Sequence, residues 1–309
     1  VLDFTARAAL VRVCWISPLG PHWCGRAVGT RHSIAVVRVL LTNDDGIDAE
    51  GLRSLRRALL GVSDVELEVV APDGNRSATA RSITTRRPLT VREVDFGDGT
   101  RGYATDGTPV DCVRLARLGL IDGFVPELVV SGINHGANLG DDVTYSGTVA
   151  AALEAIMLGL PGIAVSQQSR GGELDFRLGQ GFDFGACAGF TAAVVERLDE
   201  VRLRSGTLLN INFPGCDPSG VEVARLGKRL YSDALTVVDE GPDGRRYEIY
   251  GEAASMHEET DTDLAAIRDG KVSVTPLHFD LTDVAGIDAI AGADLATLLL
   301  PVAREVKRR

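Results

Sequence analysis

Apolar and polar positions alternate along this chain in two distinct rhythms. Short β-branched runs of five to seven residues end in polar clusters, and longer stretches with helical spacing follow them. The first run is Val36 to Leu41, a buried parallel strand in its pattern, and Ala49 to Leu60 is the first helix. Val65 to Ala71, Leu89 to Asp95, Tyr103 to Thr105, Glu127 to Ser131, Gly162 to Ser166 and Leu208 to Phe213 continue the strand series. Helices are predicted at Pro109 to Leu118, where proline suits the first turn, at Val149 to Leu158 and at Ala186 to Leu198. Strands alternating with helices predict an α/β fold, a largely parallel Rossmann-like sheet with helices on both faces.

The texture changes after Pro214. Residues 221 to 252 alternate and carry charges, with a turn at Glu240 to Gly244, so they read as a hairpin. A short helix at Thr262 to Arg268, a strand at Lys271 to Leu277 and a closing helix at Leu295 to Val306 complete the pattern. Residues 1–35 show no sustained period. They are expected to be a disordered extension, or the product of an upstream start codon chosen in error. Three segments result: 1–35, a catalytic α/β domain at 36–220, and a C-terminal arm with its closing helix at 221–309.

In open α/β sheets ligands sit outside the carboxyl ends of the strands, and the polar clusters fall there. The first strand stops at Asp44 and Asp45, followed by Gly46. The plain alternative is a solvated turn leading into the first helix. Adjacent carboxylates repel each other, however, and a divalent cation with oxygen ligands is the usual remedy. The second strand leads to Ser77, and Glu127 to Ser131 leads to Asn134 within a loop that places glycine at 132, 136 and 140. Ser146, Gly147 and Thr148 open a helix, where unpaired N–H groups suit a phosphate or where a hydroxyl simply caps the turn. Carboxylates with neutral oxygen donors suit hard cations, and a metal beside a phosphate cradle implies phosphoryl chemistry.

Composition narrows the field. The net charge of -11 opposes binding to nucleic acid polymers, and no apolar run reaches the ~20 residues of a membrane span. The five cysteines are widely spaced without a Cys-x-x-Cys pair, which fits reduced thiols in a cytoplasm. Cys112 falls on the buried face of its helix. No lysine precedes Lys228, so a P-loop and a receiver-type signalling domain both fail. G-x-G-x-x-G and G-x-S-x-G are absent where a nicotinamide domain or a serine hydrolase would need them.

The stretches VLLTNDDGIDAEGL, VVAPDGNRSA, YATDGTPVDCVRLA, VVSGINHGANLGDDVTYSGTVAAALEA and GIAVS resemble the SurE (survival protein E) family, as do ARLGKRLY and TDTDLAAIRDGKVSVTPL. The resemblance spans roughly residues 36–280. It implies a metal-dependent 5′-nucleotidase acting on nucleoside monophosphates, with a broader phosphatase or exopolyphosphatase activity as the alternative. It also implies one divalent ion per subunit, Mg²⁺ or Mn²⁺, held by Asp44, Asp45, Ser77 and Asn134, and an arm that builds a homodimer or homotetramer. Asp44 and Asp45 are the catalytic candidates, and Asp45 could serve as ligand, base or nucleophile. Asn43, Asn138, Ser146, Gly147 and Thr148 are the candidates for phosphate contact. His135, beside Asn134, is a candidate to protonate the leaving oxygen, but a structural or solvent-facing side chain is the favoured reading, because nothing fixes its orientation. Two departures stand out: residues 1–35 have no counterpart, and Ala78 occupies a position where glycine often follows the serine.

Overall fold

The structure is a computed structural model that describes residues 36–173, 180–201, 203–230, 235–242, 244–249, 255–256, 259–293 and 295. The extension at 1–35 and the closing helix expected from Leu295 onward lie outside these, Leu295 itself excepted. The first half runs β1 (Val37–Thr42), α1 (Glu50–Leu60), β2 (Val65–Pro72), β3 (Val91–Asp95), β4 (Arg101–Thr105), α2 (Pro109–Arg117), β5 (Leu128–His135), a 3₁₀ turn (Gly140–Thr144) and α3 (Gly147–Met157). It continues through β6 (Gly162–Gln167), α4 (Gly185–Glu196), the one-turn α5 (Leu198–Val201) and β7 (Thr207–Phe213). Then come β8 (Val221–Val223), β9 (Arg229–Leu230), β10 (Thr236–Gly241), β11 (Gly244–Glu248), β12 (Ser255–Met256), α6 (Asp263–Arg268), β13 (Val272–His278) and α7 (Val284–Ala291).

Nine strands form one sheet in the order β3-β4-β2-β1-β5-β6-β7-β13-β8. From β2 to β7 the neighbours are all parallel, and the antiparallel pairs β3–β4 and β7–β13 lie toward the edges. Strand order reverses between β1 and β5. That is the topological switch point at which α/β sheets open a crevice.

Alternation along the strands divides the core between two faces. Val39, Leu41, Leu128, Val130, Ile163 and Val165 pack against Leu52, Leu55 and Leu59 of α1 and against Cys187, Ala188 and Ala192 of α4. Leu40, Val70 and Val129 point the other way, toward Cys112, Val113 and Ala116 of α2 and Ala151 and Ala155 of α3. Strands buried on both faces are the reason these runs read as continuous apolar sequence. Helix α2 begins with a capping box, in which Thr108 and Asp111 satisfy each other's backbone N–H, and Pro109 fills the first turn.

Two elements depart from the sequence pattern. Strand β5 runs past the predicted end at Ser131 to His135, and its register against β6 shifts between Ser131 and Asn134. Gly132 permits this with a φ of +138°, and a Cβ there would stand 2.3 Å from the Val165 carbonyl oxygen. The shift re-aims the strand end that carries Asn134, as bulges beside functional sites commonly do. In addition, β8 and β13, both beyond residue 220, extend the main sheet, and the chain divides into compact units only between His278 and Phe279. Between them, β10 and β11 form the expected hairpin, exposed along its whole length.

Candidate metal and phosphate site

The acidic pair sits on the turn after β1. Asn43 shapes that turn: its amide donates to the Gly46 carbonyl at 2.9 Å and its Oδ1 accepts the Gly46 N–H at 3.2 Å. Asp44 is buried, and its Oδ1 accepts from the Thr148 hydroxyl at 2.5 Å. The Thr148 backbone N–H adds a further hydrogen bond, so the first turn of α3 is aimed at this carboxylate. Burial raises the Asp44 pKa to about 6, with the neighbouring Asp45 charge adding to the rise and the Thr148 bonds opposing it. The helix approaches so closely that a Cβ on Gly147 would lie 2.8 Å from both Cβ and Oδ2 of Asp44.

Asp45 faces β5 across the switch point. Its Oδ2 accepts the His135 backbone N–H at 3.1 Å and lies 3.0 Å from His135 Nδ1, while Asn75 donates to its Oδ1 at 3.4 Å. His135 is therefore held, which fits the structural rather than the solvent-facing half of the sequence reading. Phe182 and Phe184 pack edge-on against its imidazole at centroid distances of 5.2 and 4.9 Å. Both rings come from the segment before α4, far away in sequence, so local sequence carried no sign of them.

Asn134 donates its amide to the Gly136 carbonyl at 2.7 Å, and among the described residues its Oδ1 accepts no hydrogen bond. The Ser77 backbone N–H donates to Asn75 Oδ1 at 2.8 Å in a turn, and its hydroxyl makes no hydrogen bond to a described residue. The Ser77 loop is joined to the acidic turn directly, because the Arg76 N–H donates to the Asp44 carbonyl at 2.6 Å. It takes an unusual course, with Ala78 and Ala80 at φ +57° and +51°. The residue expected to be glycine is thus an alanine in the left-handed region.

The candidates for phosphate contact divide by what already holds them. Ser146 caps α3, accepting the Val149 N–H at 3.1 Å, and Thr148 is engaged by Asp44. Asn138 is woven into a buried polar seam: its amide donates to Ser166 at 2.7 Å and its carbonyl accepts from Asn210 and Asn212. Gly147 lies close against Asp44, at the opening of α3. Beyond Asn138, Asp263 at the start of α6 accepts the N–H groups of Gly140 and Gly227, each at 2.8 Å. Sequence reading missed this buried carboxylate, although it lies within the TDTDLAAIRDG stretch.

No group of three or more His, Cys, Asp or Glu side chains among the described residues is arranged to hold a metal. Two carboxylates with free amide and hydroxyl oxygens are a different donor set, suited to a hard cation that keeps several waters. The fit is good in one specific respect. Two adjacent acids, one with its pKa raised by burial, are joined by backbone hydrogen bonds to the segments that carry Ser77 and Asn134, whose side-chain oxygens accept no hydrogen bond from a described residue. A model of survival protein SurE matches residues 39–233. The 5′-nucleotidase SurE of Rubrobacter xylanophilus is 48% identical over 276 residues, covering 85% of this chain and all of that protein. The 5′-nucleotidase SurE of Pelotomaculum thermopropionicum is 45% identical over 255 residues, 80% of this chain and 91% of the relative. The crystal structure of the SurE protein from Aquifex aeolicus superposes with a TM-score of 0.69 at 37% identity, covering 82% of this chain and 98% of that one. With the family's motifs assembled around one crevice, the chain belongs to the SurE family.

Proposed function

We propose that this protein is a metal-dependent 5′-nucleotidase that hydrolyses nucleoside monophosphates to nucleoside and phosphate. The observation that carries the reading is the meeting of the Asp44–Asp45 turn with the end of β5 at the switch point, where the His135 N–H donates to Asp45, in a chain with curated 5′-nucleotidase relatives at 40–48% identity. Asp44, Asp45, Ser77 and Asn134 would hold one Mg²⁺ or Mn²⁺ ion. When bound, such an ion supplies Lewis-acid polarisation of a phosphoryl oxygen and makes water a better nucleophile at neutral pH.

The chain's own residues do the positioning. Thr148 fixes the buried Asp44, and His135 with Asn75 fixes Asp45, so neither carboxylate is free to rotate away from the crevice. Gly147 presents backbone without a side chain beside the acids, which lets a phosphoryl group approach the opening of α3. Asn43 and Asn138 support this geometry from behind, through the Gly46 turn and the Asn210–Asn212 seam.

For assembly we assign subunit contacts to residues 221–309, giving a homodimer or homotetramer. The β10–β11 hairpin supports this, since it exposes Val237, Val238 and Tyr247. Among the described residues no helix is long and apolar enough to cross a membrane, and Cys112, Cys187 and Cys216 are free thiols, as a cytoplasmic location would suit.

The test is a phosphate-release panel over nucleoside monophosphates, polyphosphate and sugar phosphates, with Mg²⁺, Mn²⁺ or EDTA. Nucleoside monophosphates should be turned over with either metal, and Asp45→Asn should remove almost all of that activity. If Asp45→Asn hydrolysed them at the wild-type rate in EDTA, the metal-site reading would be wrong.

A further inference from the structure

Glu154 is a fully buried carboxylate in the middle of α3, two turns beyond the Thr148 that holds Asp44. Nothing in the chemistry above uses it. Its two oxygens are divided between two arginines from different segments. Arg81 reaches Oε2 at 2.7 Å and Arg114, from α2, reaches Oε1 at 2.7 Å. A buried carboxylate without such partners would be neutralised or expelled, so the site is built for both of them.

The two arginines do different things. Arg114 joins α2 to α3 on the far face of the sheet, an ordinary helix-to-helix tie. Arg81 ends the loop that carries Ser77. That loop is fastened at four points: Arg76 N–H to the Asp44 carbonyl, Ala80 N–H to the Tyr145 carbonyl just before α3, Arg81 to Glu154, and the Ser82 carbonyl to Thr108. Within it, Ala78 and Ala80 hold left-handed backbone that favours glycine, so the loop's own preferences pull it away from this course.

We propose that Glu154 is a positioning residue for the metal: through Arg81 it holds the Ser77 loop at the height that α3 sets for Asp44. One helix then fixes both sides of the site. Its first turn binds Asp44 through Thr148, and its middle binds the Ser77 loop through Glu154, so the separation of the two donors is measured along a single rigid element. The inference rests on the metal-site reading of Asp44, Asp45, Ser77 and Asn134.

The test is titration calorimetry of Mn²⁺ into the purified full-length protein, with circular dichroism melting of the same samples in EDTA. Glu154→Gln and Arg81→Gln should each weaken Mn²⁺ binding about tenfold, the lower end of what losing a supporting partner costs a metal site. Arg114→Gln removes the other half of the same buried ion pair and should lower the melting temperature comparably, with Mn²⁺ affinity within twofold of wild type. In a Ser77→Ala background, Glu154→Gln should cause no further loss, because the residue it positions is already gone. Equal loss of affinity in Arg114→Gln and Arg81→Gln would make the pair a general brace and overturn the proposal, as would full additivity of Glu154→Gln with Ser77→Ala. Wild-type protein that takes up no Mn²⁺ would instead overturn the metal site itself. Should Glu154→Gln fail to fold, Arg81→Gln and its Ser77→Ala double variant carry the same comparison from the exposed end of the pair.

Discussion

Gly147→Ala is the smallest change that should separate a metal site from a capped turn. Alanine is normally the better residue in a helix, by roughly 1 kcal/mol over glycine. Here the added Cβ would lie 2.8 Å from Asp44 Cβ and Oδ2 and 3.1 Å from its Cγ, where ordinary contact begins at 3.4 Å. Asp44 or the opening of α3 must therefore move by about 0.6 Å, several times the ~0.2 Å tolerance of metal–ligand distances. Overpacking of this kind costs about 1–3 kcal/mol, which exceeds the helical gain and leaves a net loss near 1 kcal/mol. For a chain of 309 residues that is a fall of roughly 1–2 °C in melting temperature. Mn²⁺ affinity should fall about tenfold to a hundredfold, since Asp44 carries both the charge and the Thr148 bond. The matched control is Gly189→Ala in α4, where a Cβ meets nothing within 4 Å and the variant should be at least as stable as wild type. Calorimetric titration and melting curves on the two variants decide the matter. Wild-type Mn²⁺ affinity in Gly147→Ala would refute the claim that α3 is packed against a working ligand.

Three other outcomes are expected. The raised Asp44 pKa means that the folded, metal-free protein binds a proton below about pH 6 that the unfolded chain takes up only near 3.8; in EDTA, stability should rise as pH falls through 6, and Asp44→Asn should flatten that rise in urea titrations. Ala78→Gly relieves a left-handed alanine at φ +57°, worth about 1 kcal/mol, and should raise the melting temperature; a lower one would show that the loop depends on the alanine side chain. Light scattering at micromolar concentration should give a dimer or tetramer mass, and a monomer mass would count against the assignment of residues 221–309 to subunit contacts.

Much of the fold was legible because its strands are buried on both faces. Val37–Thr42, Val65–Pro72 and Gly162–Gln167 fall within a residue or so of the apolar runs, and the polar clusters at their ends lie on the rim. The acidic pair, Ser77 and Asn134 could be selected for the same reason, as small oxygen-bearing residues at strand ends. What sequence could not supply was commitment. Asn138 and Thr148 look like free polar residues in a ligand loop, yet each is bound to a partner that only the folded chain brings near, while Asn43 is taken up by its own turn at Gly46. His135 shows the converse, since the carboxylate and phenyl rings that hold it are 90 residues before it and almost 50 after it. The end of β5 was misjudged because polar residues past Ser131 resemble a loop, whereas a glycine-centred register shift lets the strand continue.

Asp263 has a consequence for the order in which the site matures during synthesis. Every proposed metal donor lies before residue 135, and all of the parallel strands from β2 to β7 have been made once Phe213 is added. A ribosome-bound chain of that length could pair its strands and still lack the carboxylate that receives the N–H groups of Gly140 and Gly227. The Gly140 end of the glycine loop, already tied at Asn138 to Ser166, Asn210 and Asn212, therefore lacks its second anchor until α6 emerges, some 50 residues after the last of those strands. Final fixing of that loop becomes a late event in the life of the chain, timed by a segment that contributes no proposed metal donor.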